Sequence, residues 1–107
     1  MVLKVETPVS AAAPFVEDLD MVTLLGTLIG VKGQGLDPTA PGRLGQAKAL
    51  IWARKNPGRC VLAADGGIRE ETVPVLIRAG AETVVMGSLA YGAPDLGARI
   101  KWLHGLT

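Results

Sequence analysis

The chain of 107 residues has a single cysteine and a single histidine. Cys60 therefore has no internal disulfide partner, and its place in the apolar run Cys60-Val61-Leu62-Ala63-Ala64 is that of a small buried core thiol. With His104 as the one imidazole, a nitrogen- and sulfur-rich metal site built from this chain alone is excluded. Charge of one sign is also lacking: 11 Lys and Arg against 10 Asp and Glu leave a net +1, which provides no basic track for nucleic acid or an anionic membrane. No apolar run approaches the ~18 residues of a membrane span. The opening Met1-Val2-Leu3-Lys4-Val5-Glu6 has no long apolar signal core, so the cytoplasm is the expected compartment. The length falls short of the about 200 residues that a complete (β/α)8 barrel requires.

What the chain does have is apolar residues, 49%, and glycine, 14 residues. The first favours a folded core, and the second predicts tight turns and close backbone approaches. The order reads as βα repeated four times within one domain, residues 1–107. Met1 to Val5 is a short apolar strand. Thr7 is a candidate N-cap with Pro8 at the first helical position, and Val9 to Leu19 reads as a helix broken by Pro14. Met21 to Leu25 is the second strand, and Gly26 to Gly42 a long loop of the kind that is more often functional than filler. A helix over Arg43 to Lys55 carries Leu44, Ala47, Leu50, Ile51 and Arg54 on one side and stops at Asn56-Pro57-Gly58. Cys60 to Ala64 is the third strand. Glu70 to Ala79 is the third helix, with two acids in its first turn and Gly80 as its cap. Thr83 to Met86 and Asp95 to Leu106 complete the fourth unit.

These strands are apolar runs without alternation, as in parallel strands covered on both faces. Crossovers that progress in one direction put every helix on one face. Leu3, Val5, Val22, Leu24, Val61, Ala63, Val84 and Met86 then exceed what the helices can cover. Either the strand order reverses, as in a doubly wound flavodoxin-like sheet, or the bare face meets another chain.

Asp65-Gly66-Gly67-Ile68 follows a strand and precedes a helix. An acid there stands where α/β folds place their sites, and two glycines let backbone N–H groups approach an anion. The same spacing is equally that of an Asp-Gly turn with no further role. Gly87-Ser88 repeats the arrangement after the next strand and adds a hydroxyl. Two adjacent strand exits of this kind form a candidate phosphate site. Arg69 and Glu70 beside it read as solvated charges, Lys32 as an exposed loop lysine, His104 as a surface residue at a helix tail, and Trp52 and Trp102 as packing residues.

Asp65-Gly66-Gly67-Ile68, Glu71-Thr72-Val73-Pro74, Ala79-Gly80-Ala81 and the run Val85-Met86-Gly87-Ser88-Leu89-Ala90-Tyr91-Gly92 resemble the last third of ribulose-phosphate 3-epimerases. Thr7-Pro8 and Leu19-Asp20-Met21-Val22 resemble the part of that family just before it. The resemblance implies strands five to eight of a metal-dependent (β/α)8 barrel that exchanges D-ribulose 5-phosphate and D-xylulose 5-phosphate by moving a proton at C3. It implies Asp65 as acid/base and ligand to a divalent metal, and Gly66, Gly67, Gly87 and Ser88 as phosphate-binding positions. Leu25-Gly26-Thr27-Leu28-Ile29-Gly30-Val31-Lys32-Gly33-Gln34-Gly35 departs from the family's loop and keeps only its Gly33-Gln34 end. The family's two metal histidines and second aspartate have no counterpart here.

Three functions stay open: an isomerase-type half-barrel with little turnover alone, a non-catalytic phosphate-binding or self-assembling module, and an independent flavodoxin-like domain. For the half-barrel, two unpaired sheet edges and one bare apolar face predict a homodimer, with the first strand of each chain beside the fourth strand of the other. Sugar phosphate and a second copy are the expected partners.

Overall fold

The computed structural model describes residues 1–27, 35–85 and 96–105. Four parallel strands, β1 (Val2–Leu3), β2 (Met21–Leu25), β3 (Val61–Asp65) and β4 (Thr83–Val85), lie side by side in sequence order. The connections hold a 3₁₀ helix (Val9–Asp18), α1 (Ala40–Ala53) and α2 (Val73–Ala79), and α3 (Leu96–His104) follows β4. Because the order never reverses among the described strands, the doubly wound flavodoxin-like alternative falls away. Half of a (β/α)8 barrel has this topology.

Pairing register decides the faces. Leu3, Val22, Leu24, Leu62 and Ala64 are buried against the helices together with Val9, Ala12, Leu44, Ala47, Cys60 and Leu76. Leu44, Leu62, Leu76, Val22 and Val73 are the largest side chains fully out of solvent. Each contributes about 1.5–3 kcal/mol of gross burial energy, so this layer dominates the stability. The opposite face carries the intervening residues, in rows set by the register: Met21 and Val61, then Val2, Thr23, Ala63 and Thr83, then Leu25, Asp65 and Val85. Of the eight apolar residues expected to exceed the helical cover, Val61 and Ala63 lie on this face. Leu3, Val22, Leu24 and Val84 pack on the helical side, and Met86 lies outside the described residues. The open face is also less apolar than expected, because threonines and Asp65 interrupt it. It still exposes Val2, Met21 and Val85.

Several boundaries differ from expectation for local reasons. Val9–Asp18 is one 3₁₀ stretch that includes Pro14, not a broken helix, and its cap is Pro8, not Thr7. The α1 helix starts at Ala40, because Pro41 fits the first turn, where no N–H is needed. The α2 helix starts only at Val73, so Glu70 and Glu71 lie outside its first turn. Val5 is not in β1, and Asp65 is the last residue of β3 and not the first of a turn. Trp52 is 76% exposed and lies under the Lys48 ammonium, 4.6 Å from its ring centre, so it is not a packing residue. Cys60 is buried as expected, and Gly80 caps α2 at φ 126°, donating to Ile77 and Leu76 carbonyls.

Candidate functional site

Asp65 occupies the carboxyl end of β3 on the open face, between Leu25 of β2 and Val85 of β4 in register. The alternation along β3 sets this direction: Leu62 and Ala64 join the helix-side core, so Val61, Ala63 and Asp65 point the other way. Two left-handed glycines follow, Gly66 at φ 92° and Gly67 at φ 70°. Both conformations disfavour any side chain. Space forbids one as well: a Cβ on Gly66 would lie 2.7 Å from Thr27 Oγ1, and one on Gly67 would lie 2.9 Å from Leu36 Cα.

The exit of β2 locks against this turn. The Gly26 amide donates to the Asp65 carbonyl at 2.7 Å, and the Asp37 amide donates to the Gly26 carbonyl at 2.8 Å. A Cβ on Gly26 would stand 2.5 Å from the Gly66 carbonyl oxygen. Gly26 and Gly66 thus form a backbone-on-backbone contact that no larger residue would permit at Gly26, while Gly67 sits against Leu36. From the other side the Thr72 hydroxyl donates to the Gly67 carbonyl at 2.6 Å and accepts the Arg69 amide at 2.8 Å. No described residue accepts a hydrogen bond from the amides of Gly66, Gly67 or Ile68. These donors suit an anion. The cavity behind the turn, lined by Leu24, Gly26, Leu36, Leu44 and Leu76 among others, measures about 10 Å³, room for at most one water. A ligand must therefore approach from the strand-end side.

Gly87, Ser88, Lys32, Gly33 and Gln34 fall outside the described residues. A larger groove of about 750 Å³ lies elsewhere, between residues 5–10 and α1. Its cation, Arg43, is committed to the carbonyls of Val5 and Thr7. Arg99 of α3 reaches back to Glu70 at 2.5 Å and lies 5.0 Å from the Trp102 ring centre, so Glu70 is tied and not simply solvated. His104 is exposed in the last turn of α3. Gly26 and Thr72 were not legible as site residues. Gly26 had one usable signal, a glycine directly after a strand as at Gly66; Thr72 had none.

A divalent ion needs several oxygen or nitrogen donors brought together, and the described residues bear on that directly. They contain no group of three or more His, Cys, Asp and Glu side chains that could hold a metal ion, and Asp65 belongs to no such group. The described donors do not fit a complete site for a divalent ion.

A parallel four-stranded sheet in sequence order, with helices in its connections, is an α/β architecture consistent with part of a (β/α)8 barrel. The model of the ribulose-phosphate 3 epimerase family matches residues 1–91, and the chain belongs to that family. It is 36% identical over 97 residues to ribulose-phosphate 3-epimerase 1 of Cupriavidus necator, which covers 89% of this chain and 40% of the relative. Similarity to the ribulose-phosphate 3-epimerase of Bacillus subtilis is 31% over 105 residues, 98% of this chain and 48% of the relative. The Aquifex aeolicus ribulose-phosphate 3-epimerase is 35% identical over 100 residues, 94% of this chain and 44% of the relative. The chain therefore spans less than half the length of these curated relatives. Among the described residues no helix is long and apolar enough to cross a membrane.

Proposed function

We propose that the chain is the phosphate-holding half of a pentulose-phosphate epimerase. Asp65 exchanges the proton at C3 on one face of the sugar. The amides of Gly66 and Gly67 hold the phosphate, with Gly87 and Ser88 at the next strand exit. The observation that carries this reading is Asp65 on the open face at the end of β3, followed at once by two left-handed glycines whose amides have no described acceptor.

Removal of the C3 proton sends its electron pair toward the C2 carbonyl, and an enediolate results. Return of a proton on the opposite face inverts C3. One carboxylate cannot serve both faces, so the second acid and the donors for a divalent ion come from the part that completes the barrel. A second copy would close the sheet and bring a second Asp65, but no histidine pair for the metal. With β1 of each chain beside β4 of the other, both sheet edges are paired and the open faces become a barrel interior. The two-fold axis then sets two Asp65 residues across the barrel mouth. Activity of the isolated chain is low in this reading, and its setting is cytoplasmic sugar metabolism.

Titration with inorganic phosphate and D-ribulose 5-phosphate, followed through backbone amide shifts, tests the cradle. Both ligands shift Gly66 and Gly67, and Gly87→Val abolishes the response; equal binding by that variant removes the cradle. Light scattering at micromolar concentration tests the closure, and a stable single-chain species overturns it. The lack, among the described residues, of any group of three or more His, Cys, Asp and Glu that could hold a metal also favours a second reading, a non-catalytic phosphate-binding module. A coupled epimerase assay with added divalent metal separates the two, since turnover that vanishes in Asp65→Asn belongs only to the first.

A further inference from the structure

We infer that Thr72 is a positioning residue for the anion cradle, an inference that rests on the reading of Gly66 and Gly67 as phosphate-binding. Thr72 occupies the N-cap position of α2, yet its side chain makes no capping hydrogen bond to that helix. A threonine there ordinarily accepts from the amide of the second or third helical residue. Here the hydroxyl faces backward. It accepts from the Arg69 amide at 2.8 Å and donates to the Gly67 carbonyl at 2.6 Å. The Thr72 amide in turn donates to the Arg69 carbonyl at 3.1 Å, so the residue spans the turn with both its backbone and its side chain.

The consequence follows from the planar peptide. In a trans unit the carbonyl and the next amide point in opposite directions. By holding the Gly67 carbonyl, Thr72 turns the Ile68 amide away from itself. It also keeps a carbonyl oxygen, which would repel an anion, out of the ligand's reach. The turn has glycine at φ 92° and at φ 70°, where the backbone has more alternatives than at any other residue type. Contacts with Gly26, Thr27 and Leu36 crowd the Cα positions of these glycines, whereas the Gly67 carbonyl itself is held by the Thr72 hydroxyl. The Thr72 hydroxyl thereby chooses the orientation of the 67–68 peptide: it also lies 3.2 Å from the Arg69 carbonyl, but its shorter contact, 2.6 Å, is to Gly67. Its task is to pre-set the donors, so that binding a phosphate costs no rotation of the peptide.

Three variants test this: Thr72→Val, which keeps the branched shape without the hydroxyl; Thr72→Ala, smaller, for the case in which valine fails to fold; and Thr72→Ser, which keeps the hydroxyl. The readouts are the affinity for inorganic phosphate and for D-ribulose 5-phosphate, and hydrogen exchange at the Arg69 amide without ligand. The valine and alanine variants are expected to bind both ligands about tenfold more weakly and to exchange faster at Arg69. The serine variant is expected to stay within about twofold of the parent in both readouts. Hydroxyl-free variants that bind phosphate like the parent overturn the inference and leave the cradle standing. Equal weakening by serine and valine also overturns it, because the hydroxyl is then irrelevant. A parent that binds neither ligand overturns the cradle and this inference together.

Discussion

The two ends of the sheet are built differently. At the carboxyl ends of the strands, glycine backbones meet directly: Gly26 on Gly66, Gly67 on Leu36, and an exposed row of amides beside Asp65. At the amino ends, charged side chains tie backbone to backbone. Arg54 donates to the carbonyls of Val16 at 3.0 Å and Leu19 at 2.7 Å, and to that of Gly58. The Glu17 carboxylate accepts the Lys55 amide at 2.9 Å and the Asn56 amide at 2.8 Å, while the Asn56 side chain returns a bond to the Glu17 carbonyl. One end leaves donors available, and the other consumes them. That division is the one expected of a barrel whose chemistry sits at one rim and whose stability is secured at the other.

The strongest way to break the comparison is Gly67→Ala. A Cβ there meets Leu36 Cα at 2.9 Å, on a backbone with φ 70°. Left-handed strain and overpacking together are expected to cost about 2–5 kcal/mol and to remove phosphate binding. Urea denaturation and a phosphate titration check both parts. Arg54→Ala ranks next. It leaves three carbonyls without their donor and should cost about 1–3 kcal/mol, with phosphate affinity unchanged. A loss of affinity equal to that of the glycine variant would erase the distinction between the ends.

The third prediction concerns acid. The Lys55 amide, and then the Asn56 amide, hold the Glu17 carboxyl below its ordinary value of 4.5. A depressed acid contributes stability that is present above the unfolded pKa and is lost as pH falls through the folded one. Thermal melting of the parent should therefore weaken below about pH 4.5, and Glu17→Gln should flatten part of that slope. Asp37, near the other end, is lowered chiefly by the Thr39 hydroxyl and then by its amide, so Asp37→Asn is the matched control for the opposite rim. The smallest effect belongs to Glu82→Gln. Its bond with Arg59 is 2.8 Å long but lies in solvent, with side chains 44% and 78% exposed, so a stability change of about 0–1 kcal/mol is expected and should shrink further in salt.

Reading from sequence went furthest where the signal is local. Asp65-Gly66-Gly67 was visible as an acid and two glycines at a strand exit, and Gly80 as a helix cap, because turn chemistry is written in adjacent residues. The stripe of Leu44, Ala47, Leu50 and Ile51 was visible through helical spacing. Glu70 and Glu71 misled, since acids near a helix start need not lie inside it when the next residues prefer another turn. Arg54 was seen as part of an apolar side, and its role in joining three separate carbonyls was not.

By itself the sequence determined the count and order of the βα units, the burial of Cys60 and the place of Asp65 at the end of a strand. These follow from apolar runs, breakers and caps within a few residues of one another. Only the tertiary structure decided the strand order, which set of strand residues meets the helices, and that Gly26 lies against Gly66. Parallel strands without alternation do not mark their inner face, so pairing register assigns it. The Gly26–Gly66 contact joins residues far apart in the chain, through an approach that only the absence of a Cβ allows.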